Sequence, residues 1–272
     1  MFSFAALTFP NIDPVIFSIG PFAVRWYAVA YIAGLLFGMW YMKRLVENPS
    51  LWAGTNPSAT PQQIDDLFFW ALLGVVLGGR IGYVLFYGTA KAMADPLSIF
   101  RTWEGGMSFH GGFFGVMLAA FIFGRRHRIA LFRLLDLGAA ATPVGLGLGR
   151  LANFINGELY GRVTDVPWGF VFPGGGDTPR HPSQLYEFML EGVVLFAVVN
   201  FAVYRFKVLA RPGVASGLYA LIYAFSRIAV EFVRQPDEQI GFFGGFITMG
   251  MILSLPLIAI GVWLLVRARV SR

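Results

Sequence analysis

Seven separate apolar stretches, each long enough to cross a bilayer, run through this chain and take up most of its length. With 57% apolar, 17% aromatic and only 13% charged residues, the sequence lies well outside the balance of a soluble domain. The fold class that follows is all-α: a polytopic membrane helical bundle of about seven transmembrane helices. The 272 residues leave room for a single integral membrane domain over 1–272, with modest loops and no second soluble domain. Cysteine is absent, which removes disulfides and thiolate chemistry from the chain itself, so any thiol in its chemistry comes from a partner. With three histidines, no transition-metal site is expected.

The spacing predicts spans over 21–42, 64–88, 107–124, 131–152, 183–204, 213–233 and 243–266. An odd number puts the termini on opposite sides. One set of ends carries Lys43 and Arg44; Arg125, Arg126, Arg128 and Arg133; Arg205, Lys207 and Arg211; and Arg267, Arg269 and Arg272. The opposite loops hold Lys91, Arg101, Arg162, Arg180 and Arg234. Twelve against five places the N-terminus outside and the C-terminus in the cytoplasm. The formal charge of +6 is therefore spent on orientation and lipid headgroups, and nucleic acid is not an expected partner. Residues 1–20 lack a basic n-region and contain Pro10, Asp13 and Pro14, so the first span reads as a retained helix and not as a cleaved signal. In 153–182, Pro167, Pro173, Gly174-Gly175-Gly176 and Pro179 argue against continuous helix, and a small extracytoplasmic cap is expected there.

Threaded this way, the polar residues of the spans gather toward one face. Arg25 and Tyr27 open span one from outside; Arg80 and Tyr83 lie toward the outer end of span two; His110 starts span three; Arg150 and Asn153 end span four. His181, Tyr186, Glu187 and Glu191 begin span five, and Arg227 and Glu231 lie in the outer half of span six, followed by Arg234. Nothing comparable gathers at the inner face. A charge at the bilayer centre costs about 2.5–3.5 kcal/mol on insertion scales, so such residues mark function by default. Arg150 and Asn153, three apart, and Arg227 and Glu231, four apart, share helix faces and can bind a ligand or one another. Several guanidinium forks in a partly dry pocket point to an anionic, phosphate-bearing ligand, and in a membrane that is a phospholipid headgroup. Simpler readings stand beside these. Arg227 and Glu231 can form an internal ion pair, Arg80 can snorkel or pair with Glu187, and Tyr27 beside Trp26 can be an interfacial anchor. His127, in a basic loop, has no expected site role. The residues alone leave open an enzyme acting on lipids and a transporter or binder of an anionic lipid or solute.

At 149–161 the chain reads GRLANFINGELYG, which resembles the signature of the bacterial prolipoprotein diacylglyceryl transferases. DPVIFSIGP at 13–21, LGGRIGYVLFY at 77–87, GGMSFHGG at 105–112, RHPSQLYE at 180–187 and RIAVEFVRQPD at 227–237 follow the family's order. Ala152 stands where glycine is frequent and Tyr160 where tryptophan is common; neither change removes a charge or a donor. The resemblance implies transfer of the diacylglyceryl group of phosphatidylglycerol to the lipobox cysteine thiol of a prolipoprotein signal peptide. The products are a thioether and glycerol 1-phosphate, the first step of bacterial lipoprotein maturation in the inner membrane. It implies no metal or cofactor. Carried over residue by residue, Arg150 and Arg227 are the expected phosphate ligands, with Asn153 and Glu158 orienting the headgroup glycerol and the cap. His110 is the first choice of general base, with Tyr27 and Glu231 as rivals, and Arg80 and His181 complete the expected phospholipid-binding set. A transporter would more readily show internal repeats or broken helices with polar groups at the midplane, and the sequence has neither.

Overall fold

The structure is a computed structural model describing residues 7–20, 22–236 and 241–270. Pro21, Asp237 and Arg272 of the sequence reading lie outside the described residues. The chain opens with β1 (Leu7–Thr8) and an antiparallel hairpin of β2 (Val15–Ile19) and β3 (Phe22–Arg25). Gly20 sits in its turn with a φ of +58°, a conformation L side chains rarely adopt. The hairpin shortens the first expected span from its outer end. Arg25, expected inside that span, ends β3, and α1 runs from there as Trp26–Val46. β-branched and aromatic residues make up most of β2 and half of β3, which favours extended pairing over helix.

α2 (Pro61–Phe86) starts at a capping box, Thr60 and Gln63 satisfying each other's backbone, with Pro61 at the first helical position. The short α3 (Thr89–Ala94) and two 3-10 turns lead to α4 (Phe109–His127), capped by Ser108 Oγ, which accepts from Gly111 N at 3.2 Å. α5 (Leu131–Ile155) follows. A loop carrying β4 (Phe170–Val171), parallel to β1, leads to α6 (Ser183–Glu187), a π-helical stretch at Phe188–Val194, and α7 (Leu195–Phe206). α8 (Val214–Glu231) and α9 (Met249–Val270) complete the bundle. Each of the seven expected spans thus contains a helix, the first starting only at Trp26 and the last only at Met249. Among the described residues six are long and apolar enough to cross a membrane, Ser183–Phe206 taken as one. The seventh, α4, falls outside that group because four glycines, His110 and the basic end Arg125–His127 dilute its apolar run.

The α2/α4 pair is drawn together by glycines. A Cβ at Gly82 would lie 2.8 Å from Gly111 Cα, so nothing larger fits between the backbones. At the basic end lies the densest core, where Leu45, Leu51, Trp52, Ile64, Phe123, Leu137, Val199 and Leu209 are fully buried. Trp52 Nε1 donates to Leu45 O at 3.1 Å. Beside it the buried Asp136 of α5 accepts from Gly213 N (2.7 Å), Ser216 N (2.8 Å) and Ser216 Oγ (2.7 Å), fixing the first turn of α8. A carboxylate there also complements the positive end of the helix dipole. The polar residues of the sequence reading lie at the other end of the bundle.

Candidate active site

Three helices bring six charges together. Arg150 comes from the last turns of α5, Glu187 and Glu191 from the α6/π stretch, Arg227 and Glu231 from the end of α8, and Arg234 from the turn after it. Glu187 is the hub, with no exposed surface. Its Oε2 lies 3.2 Å from Arg150 Nε, its Oε1 2.5 Å from Arg227 Nη1 and 4.0 Å from Arg234 Nε. Arg150 Nη2 reaches Glu191 Oε2 at 3.3 Å. Arg227 also pairs with Glu231, one helical turn on, and Arg234 Nη1 lies 3.6 Å from the same carboxylate. Three arginines meet three glutamates, so the formal charge of these six side chains cancels. Buried charges persist in a low dielectric when they are paired and hydrogen-bonded in this way.

The layering matters more than the sum. The side chains of Glu187, Glu191 and Glu231 are 0%, 0% and 3% exposed, whereas those of Arg150, Arg227 and Arg234 keep 20%, 12% and 14%. The carboxylates sit behind and the guanidinium edges in front. A small cleft lined by Arg227, Glu231, Arg234, Thr248 and Gly250 opens on two of the three guanidiniums, those of Arg227 and Arg234. The first turn of α9 approaches because residue 250 is glycine: a Cβ there would lie 2.6 Å from Glu231 Cδ.

The signature forms the adjoining wall. Asn153 Nδ2 donates to Glu158 Oε1 at 2.8 Å, and Asn156 Nδ2 to the same oxygen at 3.1 Å. The fully buried Gln184 donates from Nε2 to Glu158 O at 2.6 Å, and Ser183 Oγ to Leu159 O at 2.8 Å. Residues 161–162 then thread between two strands of backbone. Gly161 N donates to His181 O (2.8 Å), His181 N to Arg162 O (3.0 Å) and Arg162 N to Val233 O (2.8 Å). A Cβ at Gly161 would lie 2.7 Å from His181 Cβ, which requires glycine there. Burial pushes the His181 imidazole below the usual histidine range, and the charge of Asp165 opposes that.

The structure therefore brings Arg150, Arg227 and Glu231 into one cluster, with Asn153, Glu158 and His181 beside it. Tyr27, in the first turn of α1, lies within electrostatic reach of Arg150 and Glu158 and places its Oη 3.1 Å from Tyr31 Oη. His110 is exposed in the first turn of α4, its ring edge-on to Phe109 at 5.7 Å. Arg80 is placed elsewhere. Its guanidinium is filled by backbone carbonyls of the loop before α4: Ile99 O (2.8 Å), Gly105 O (2.6 Å), Gly106 O (3.0 Å), Arg101 O (3.3 Å) and Ser98 O. Glu187, Glu191, Arg234, Gln184 and Gly161 are the members that the expected site residues did not include. Glu187 and Glu191 were recognisable as an i, i+4 pair, but nothing in the sequence ranks one carboxylate as the hub.

Comparison with known proteins adds a second line. The family model described as prolipoprotein diacylglyceryl transferase matches residues 14–267. The chain is similar to the phosphatidylglycerol–prolipoprotein diacylglyceryl transferase of Sinorhizobium medicae, 54% identical over 266 residues that cover 97% of this chain and 95% of the relative. It is equally similar to the protein of the same name from Brucella anthropi, 54% identical over 265 residues covering 97% and 94%.

Proposed function

The chain belongs to the prolipoprotein diacylglyceryl transferase family, and from that premise we propose that it transfers the diacylglyceryl group of phosphatidylglycerol to the lipobox cysteine of a prolipoprotein signal peptide. The thiolate sulfur attacks the glycerol carbon that bears the phosphate, the C–O bond to phosphate breaks, and glycerol 1-phosphate leaves as a thioether forms. The observation that carries this reading is the layered cluster: partly exposed guanidinium edges, those of Arg227 and Arg234 lining a cleft, held from behind by buried glutamates. Such a face offers fixed donors to a leaving phosphate without reorganising during reaction.

In this reading Arg150 and Arg227 hold the phosphate, while Asn153, Glu158 and His181 contact the headgroup. The thiol proton has an ordinary pKa of about 8.5, so a base adds a modest factor beside the anion clamp. His110 takes that proton. Glu231 is engaged by two arginines and Tyr27 pairs with Tyr31, which leaves them as the weaker candidates. Arg80 supports the loop leading to His110. The substrate peptide is itself a membrane helix and reaches the site laterally. The protein is a single domain in the bacterial inner membrane, N-terminus outside and C-terminus cytoplasmic, with the site toward the outer face and residues 153–182 as its cap.

Mass spectrometry of a lipobox peptide incubated with the purified protein and phosphatidylglycerol tests this directly. A diacylglyceryl mass gain on cysteine with the natural protein, lost in both His110→Ala and Arg150→Ala, is the expected result. No gain from a folded preparation would leave an anionic-lipid binder or transporter.

A further inference from the structure

Trp168, Tyr186 and His181 form a hydrogen-bonded chain at the rim of the site, and of these the reaction above uses His181 but gives Trp168 and Tyr186 no part. Trp168 Nε1 lies 2.7 Å from Tyr186 Oη, and Tyr186 Oη lies 3.1 Å from His181 Nδ1. The imidazole and phenol rings meet edge-on at 5.9 Å. An indole N–H can only donate, so the phenolic oxygen accepts from Trp168. Its own proton then has one acceptor within reach among the described residues, the lone pair of His181 Nδ1. A half-buried hydroxyl that left this proton unpaired, and accepted a second bond through an oxygen already conjugated to its ring, would forgo a hydrogen bond for nothing in return. A neutral imidazole that accepts at Nδ1 carries its proton at Nε2.

The rest of His181 is already immobile. Its backbone N and O are bonded to Arg162 O and Gly161 N, and Ser183 N also donates to its carbonyl at 2.8 Å. Ring orientation and tautomer are what remain to be set, and Tyr186 sets both. We propose that Tyr186, oriented by Trp168, is a positioning residue that fixes His181 as the Nε2–H tautomer, so that His181 meets the phospholipid as a neutral hydrogen-bond donor and not as a base. The role toward phospholipid rests on the function proposed above; the tautomer does not. The charged group in reach of the ring is Asp165, which favours a second proton, while burial disfavours it.

The chain has three histidines, so the full-length protein labelled with nitrogen-15 at histidine gives three ring spectra in lipid nanodiscs. Spectra of His127→Ala and His181→Gln assign them. At mildly alkaline pH the expected His181 pattern is a pyrrole-like Nε2 and a pyridine-like Nδ1. In Tyr186→Phe the pattern should become a mixture, with the KM for phosphatidylglycerol rising by about three- to tenfold and kcat changing by less than about twofold, the worth of one neutral hydrogen bond. His181→Gln, whose amide places a donor near the Nε2 position, should keep more activity than His181→Asn. A proton on Nδ1 in the natural protein overturns the proposal whatever the activity, and so does a Tyr186→Phe variant with unchanged tautomer and KM. The expected tautomer in a folded protein without transferase activity would refute the proposed function instead.

Discussion

Replacing Arg80 by lysine keeps the charge and removes the fork. In the structure that fork bonds five carbonyls of residues 98–106, and the side chain is 7% exposed. An ammonium has three donors against the five N–H groups of a guanidinium, so at least two carbonyls lose a charged partner. At about 1.5 kcal/mol for each bond to a charged group, the loop before α4 loses about 3 kcal/mol. That corresponds to about a hundredfold rise in its open population. Hydrogen exchange by mass spectrometry should show this as faster exchange across residues 98–108, with α5 and α8 unchanged. With its fork engaged by backbone carbonyls, Arg80 should act through the loop, so kcat should fall while the KM for phosphatidylglycerol stays within about twofold. The opposite pattern, a raised KM with loop exchange unchanged, would refute the reasoning and put Arg80 among the phospholipid ligands.

Arg150→Lys leaves one nitrogen to serve two carboxylates that Nε and Nη2 now reach separately; kcat/KM should drop by about 10- to 100-fold in the peptide-lipidation assay, and near-normal turnover would remove Arg150 from the clamp. Gly161→Ala drives a methyl against His181 Cβ and O; overpacking of this kind costs about 1–3 kcal/mol, visible as a lower melting temperature together with reduced activity. Asp136→Asn turns an amide toward one of three donors; it should cost about 2 kcal/mol of stability, read as a lower melting temperature, while turnover per folded molecule stays close to normal, because the site lies at the other end of the bundle. His127→Ala, which removes a ring stacked on Phe123 at 4.2 Å, should be almost silent in the same assay.

The bundle was legible because bilayer thickness dictates helix length whatever the side chains do, and each expected span contains a helix displaced by only a few residues. Strands in the first 25 residues were not, since a short run with four apolar residues in five before a glycine reads equally as a helix entrance. At the site, the four-residue spacing of Arg227 and Glu231 was enough to foresee their pairing, because it depends on one helix alone. Arg80 shows the limit. Its carbonyl partners lie 18 to 26 residues away along the chain and are backbone atoms, which carry no side-chain signature. Glu187 shows another: its centrality arises from three arginines on separate segments, and the π-helical stretch beginning at Phe188 that follows it has no marker in residue type.

The dense packing around Trp52 has a further meaning for a bundle long and apolar enough to cross a membrane. Six charged side chains inside a helical bundle, with a cleft beside them, are half of an ion channel. The other half would be a wet path through the remaining thickness, and the fully buried Leu45, Leu51, Ile64, Phe123, Leu137 and Leu209 deny it. That end closes the bundle behind the polar cluster, so a residue far from any chemistry, such as Leu137, keeps the charges from sharing one continuous wet path with the opposite end.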